Sequence, residues 1–145
     1  MDRILTENFF KISSEIFDFL VRNYGFKPAF LEVNHSISFV YVIFMGKNLA
    51  VECIFDAKEK DISCKIAKVF NGQKTPDYEV DDTGARVRDY LTEILIRKGV
   101  RDIKFNKISE NDSIEKMSFS ILTDYAAMLK KYGQDILTDS PSVFS

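Results

Sequence analysis

The sequence has no tryptophan, a single histidine (His35) and only two cysteines, Cys53 and Cys64, and each scarcity removes a class of chemistry. A Ser–His–Asp or Cys–His triad needs an imidazole beside a nucleophile, and His35 sits in the polar turn Asn34-His35-Ser36, where polar residues belong in any case. A structural zinc site needs a second pair of ligands at zinc spacing, and the chain has none. No G-x-S-x-G, phosphate-binding loop, G-x-G-x-x-G or H-E-x-x-H occurs. The longest apolar run, residues 40–45 (VYVIFM), is far short of the roughly 20 residues of a membrane span. The first residues, MDRILTENFFKISSE, lack the apolar core of a signal peptide, so a cytoplasmic location and reduced cysteines are expected. Charge of one sign is also lacking: the formal net charge is −2 and no Lys/Arg-rich run appears. That argues against nucleic acid held by a general basic field.

What is present fits a folded domain. Hydrophobic residues make up 46% of 145 residues and charged ones 29%, with thirteen Phe and six Tyr. One domain, 1–145, is expected, with 133–145 as a loose C-terminal tail. Residues 6–24 carry Phe9, Ile12, Ile16, Leu20 and Tyr24 at helical spacing, with Thr6 as cap and Gly25 as the left-handed stop. Pro28 then starts an extended region. Four strands follow: AFLEV, ISFVYVIFM, LAVECIF and ISCKIAKVF, residues 29–70. A second helix is expected over 84–98, buried through Val87, Leu91, Ile94 and Leu95 and closed by Gly99. VRDIKFNKI, 100–108, alternates weakly and offers a fifth strand. A third helix is expected over 112–132, with an Asp112/Glu115 capping box and a stripe of Ile114, Met117, Ile121, Tyr125, Met128 and Tyr132. The fold class is therefore α+β: one antiparallel sheet of four to five strands, with an N-terminal helix and two C-terminal helices packed on it.

The turns set an expected register. Three-residue loops at NHS and GKN, with Asn48 left-handed, pair Val33 with Ile37 and Met45 with Leu49. A four-residue loop at AKEK pairs Asp56 with Asp61, which makes Cys53 and Cys64 cross-strand neighbours. One face then gathers Leu31, Val33, Ile37, Phe39, Tyr41, Ile43, Met45, Leu49, Val51, Cys53, Phe55, Ile62, Cys64, Ile66 and Phe70, a surface that helices must cover. The other face carries Phe30, Val40, Val42, Phe44, Ile54 and Val69 among polar residues, too apolar to be wholly solvated. The two cysteines read as small apolar side chains in a reduced core.

One stretch stands apart chemically. PDYEVDDTGARV, 76–87, places Asp77, Glu79, Asp81 and Asp82 within six positions. As a calcium loop it fails twice, with Asp82 where glycine must turn the chain and Arg88 where the closing glutamate belongs. As a helix cap, Asp82 or Thr83 would explain the second half. Asp77, Tyr78 and Glu79 are left over, and carboxylates interleaved with an aromatic suit a basic protein partner. The expected contact is therefore Asp77, Tyr78, Glu79, Asp81 and Asp82, with no catalytic residue, metal or cofactor.

The helix ending FLVRNYGF, the hairpin LAVECIFDAKEKDISCKIAKVFNG, the acidic PDYEVDD and the helix DYLTEIL together resemble small bacterial immunity proteins. These are encoded beside polymorphic or contact-dependent toxins and neutralise a cognate toxin domain by binding it. The resemblance spans residues 10–98 and leaves the third helix outside. It implies a non-enzymatic cytoplasmic protein whose partner is a toxin domain, such as a basic nuclease-like one, with no nucleic acid or membrane bound directly and with monomer and homodimer both open. The group shares no functional residue that could be carried over. Two alternatives rest on residues alone: a secretion-type chaperone, from the apolar second face (Val40, Val42, Phe44, Ile54), and a carboxylate-dependent hydrolase, from 77–82.

Overall fold

The computed structural model describes residues 2–76 and 79–144. Its order is α1 (Arg3–Ile16), α2 (Asp18–Tyr24), β1 (Phe30–Asn34), β2 (Phe39–Met45), β3 (Leu49–Asp56), β4 (Asp61–Phe70), β5 (Gln73–Lys74), β6 (Arg88–Tyr90), α3 (Leu91–Arg97), α4 (Ile114–Tyr132) and α5 (Gln134–Leu137), with a final 3₁₀ turn at Pro141–Phe144. This is the α+β architecture expected: an antiparallel sheet with helices from both ends of the chain against one face. No helix among the described residues is long and apolar enough to cross a membrane.

The first helix starts earlier than expected and is broken in the middle. Asp2, not Thr6, caps it, its carboxylate accepting from the amides of Ile4 and Leu5. At Phe17 the backbone leaves helical geometry, and the chain resumes as α2 until Gly25 (φ 76°) stops it as expected. Phe17 is fully buried there, its ring 5.9 Å from that of Phe44.

The four long strands form the expected meander, β1-β2-β3-β4, but with two different register outcomes. Asp56 pairs with Asp61 and Cys53 with Cys64, as expected. The two earlier hairpins are both shifted by an odd number of residues: Val33 pairs with Val40 rather than Ile37, a shift of three, and Met45 with Ala50 rather than Leu49, a shift of one. The first loop therefore spans four residues, and Ser38 (φ 58°), not Asn48, takes a left-handed conformation. Because strand side chains alternate, the slip turns β2 over. Val40, Val42 and Phe44 face the helices with Val51, Cys53, Phe55, Ile62, Cys64 and Ile66. Tyr41 and Ile43 face the other way, with Ala50, Ile54 and Val69.

The expected helix 84–98 is shorter. Residues 88–90 instead form β6, which pairs with β4 through Lys65–Tyr90, Ile66–Asp89 and Ala67–Arg88. Val87, Leu91, Ile94 and Leu95 are nonetheless all buried. Residues 100–108 form no strand, and Ser113, not Asp112, caps α4. The tail is not loose: Ile136, Leu137 and Val143 are buried in the main core.

Candidate functional site

The second face of the sheet is the inside of a trough. β1 and β5 stand at opposite ends of the strand order, yet both line one cavity of ≈ 630 Å³ with Glu32, Asn34, His35, Tyr41, Lys74 and Pro76. An adjoining cavity of ≈ 590 Å³ again brings together Phe30 and Glu32 from β1 with Gln73 and Lys74 from β5. Only a curled sheet brings its two ends together in this way. The tight Asn71-Gly72 turn (φ 52° and 77°) folds β5 back along β4 and starts the segment that forms the trough's far wall.

The trough floor holds a buried charge cluster that the sequence did not single out. Glu52 on β3 is fully buried, with Arg88 Nε 2.9 Å from one carboxylate oxygen and Lys74 Nζ 3.1 Å from the other. Both contacts are at ion-pair distance but off hydrogen-bond geometry, so charge attraction holds the carboxylate. Arg88 also lies 5.9 Å from the Tyr41 ring centre. Burial raises the Tyr41 phenol above its ordinary pKa, against the opposing pull of Arg88. Beside them Lys65 Nζ stands 4.4 Å over the ring of Tyr90 and 3.9 Å from Glu79, and burial, then the charge of Arg88, lowers its pKa. The one visible signal for this cluster was Glu52 inside an otherwise apolar strand, a charge that must find a partner when buried.

From Glu79 onward the acidic stretch forms a hairpin rather than a helix cap. Val80 bridges Arg86, the Asp81 amide donates to the Ala85 carbonyl, and the Val87 amide donates to the Glu79 carbonyl. The Asp81 carboxylate accepts from the amides of Thr83 and Ala85 and from the Thr83 hydroxyl, and that hydroxyl holds the carboxyl below its ordinary pKa. Asp81 thus shapes the loop. Asp82 and Val80 are exposed at its tip, and Glu79 is exposed at its base. Asp77 and Tyr78 lie outside the described residues. At the foot of the hairpin, Asp89 takes Arg97 at 2.6 Å and Arg86 at 3.4 Å.

Cys53 and Cys64 are wholly buried and reduced, and burial pushes both thiols far above their ordinary pKa, so they are poor nucleophiles at neutral pH. Among the described residues no three His, Cys, Asp or Glu side chains gather as a metal site. Val40, Val42 and Phe44, expected on an open apolar face, are in the helix-covered core. Comparisons with protein families, with curated proteins and with solved structures found no match to this chain.

Proposed function

We propose that this chain is a non-enzymatic protein-binding module of the immunity type, which acts in the cytoplasm and neutralises a cognate toxin domain by covering a basic surface of it. The observation that supports the reading is the acidic hairpin 79–88. Its backbone is tied by cross-hairpin bonds, and Arg88 at its foot is drawn into the sheet by buried Glu52. The exposed carboxylates of Glu79 and Asp82, with Val80 between them, are therefore held in place before any partner arrives, which lowers the ordering cost of binding. In this reading Asp77 and Tyr78 extend the same contact, with Tyr78 as its aromatic anchor. Asp81 shapes the loop that presents them.

The test is capture from the source organism on the immobilised chain, beside a Glu79→Lys/Asp82→Lys variant that leaves Asp81 intact. One toxin-like protein with a basic surface should be retained stoichiometrically and lose its activity. The double reversal should weaken that complex by about tenfold, through slower association and faster release. Unchanged affinity would remove the hairpin from the contact, and capture of no inhibited protein would sink the reading.

A further inference from the structure

β1 ends the sheet, and among the described residues no backbone group hydrogen-bonds to its outer edge. Soluble proteins usually blunt such an edge with lysine, proline or a bulge, because its bare amides and carbonyls are a template for another strand. Phe30-Leu31-Glu32-Val33-Asn34 has none of these, its register with β2 is unbroken, and its one charge is Glu32, which an added strand carrying a cation would neutralise. Phe30 is 40% exposed on the trough side and Leu31 38% exposed on the helix side. The edge also borders open space, since the two trough cavities lie between β1 and β5.

We propose that β1 is a strand-addition edge, where a partner protein inserts an extended segment into the gap between β1 and β5. An added strand shares the pleat of its neighbour, so its residues beside Leu31 and Val33 must be apolar. Those beside Phe30, Glu32 and Asn34 face the trough. There Lys74 is already held by Glu52, whereas Glu32 is exposed and has no ion-pair partner among the described residues. The residue opposite Glu32 is therefore a lysine or arginine. A second copy of this chain does not suit the edge: antiparallel self-pairing about the middle of β1 sets Glu32 against Glu32, like charges directly opposite. The inference rests on reading the chain as a protein-binding module, but it uses none of the acidic hairpin.

Panning a library of short random linear peptides against the immobilised full-length protein tests it without knowledge of the natural partner. Enriched peptides should alternate apolar residues with a Lys or Arg at one fixed position. A synthetic copy of the most enriched peptide, titrated into isotope-labelled protein, should shift the amide resonances of 30–34 and slow their hydrogen exchange. Glu32→Lys, at an exposed position, should weaken that peptide about fivefold. Panning against Glu32→Lys should select Asp or Glu in its place. No enrichment, helical enrichment patterns, or shifts confined to surfaces other than β1 would overturn the proposal. So would a solution dimer that protects β1, because the occupant would then be a second copy. Capture of an inhibited toxin without strand-like peptides would overturn strand addition alone, whereas selection of strand-like peptides without such capture would leave it standing and overturn the immunity reading.

Discussion

At the scale of single residues, Glu52 is the side chain on which most depends. It is fully buried on the trough floor, and two cations, Arg88 and Lys74, reach it from segments far along the chain. Removing one member of a buried ionic group leaves the others desolvated without compensation. Glu52→Ala should therefore cost about 3–5 kcal/mol in urea denaturation, the range for breaking a buried pair. Replacing the whole group, as Glu52→Leu with Arg88→Met and Lys74→Met, should be far milder, because a packed apolar floor needs no desolvated charge. If the single change proved as mild as the triple one, the cluster would be solvated rather than buried. The cluster's value on this argument is specificity. It fixes where the chain from Lys74 to Arg88 crosses the sheet, and so where the acidic hairpin stands.

At the scale of elements, the β2–β3 turn shows how a remote residue can decide a local conformation. The Asp139 carboxylate accepts from the amides of Lys47 (2.6 Å), Asn48 (3.0 Å) and Leu49 (2.8 Å), and its backbone carbonyl accepts from the Asn48 side chain. Gly46 leaves the room: a Cβ there would stand 2.7 Å from the Asp139 carboxylate. Asp139→Ala should lose about 1.5–3 kcal/mol, the worth of hydrogen bonds to a charged acceptor, and amide exchange at 47–49 should accelerate. Unchanged exchange there would mean the turn holds itself. This dependence also explains what the sequence concealed. All seven residues of β2, FVYVIFM, are apolar, so either face could have been the core, and hydrophobic pattern could not detect a one-residue slip. The deciding contacts come from Asp139, about ninety positions away. β4 was legible because its polar residues Ser63 and Lys65 alternate with the core residues Ile62, Cys64 and Ile66, and the Asp56–Asp61 turn closes locally through the Asp56 carboxylate. Val87, Leu91, Ile94 and Leu95 were rightly placed in the core, yet the segment before Leu91 is strand. Pairing with β4 and the pull of Glu52 on Arg88 outweigh helical spacing. The acidic stretch was visible as composition, but its hairpin shape depends on Asp81 folding back on Thr83 and Ala85. The exposed edge of β1 and the trough depend on sheet curl, which no local pattern encodes.

At the scale of the whole molecule, the C-terminal segment closes the core. Ile136, Leu137 and Val143 are buried against it, Asp135 pairs with Lys98 at 2.7 Å, and Asp139 organises the β2–β3 turn. The segment thus ties the end of α4 to the region just past α3 and to one end of the sheet, adding to the Tyr132–Asp102 hydrogen bond between the first two. Burying a large aliphatic side chain contributes about 1.5–3 kcal/mol, so these three are worth roughly 5–9 kcal/mol together before the Asp139 bonds are counted. Domains of this kind have only about 5–15 kcal/mol of net stability. A chain ending at Gly133 should therefore lose its cooperative thermal transition, or show it at a much lower temperature, while keeping helical signal from α1 and α4. Ile136→Ala, a smaller cut of about 2–5 kcal/mol, should lower the midpoint without abolishing cooperativity. Circular dichroism melts of the three proteins measure this directly. A truncated chain that melts cooperatively within a few degrees of the full one would show that the segment merely lies on a core already complete. With Ile136, Leu137 and Val143 buried as they are, the core is complete only when residues 134–144 are in place.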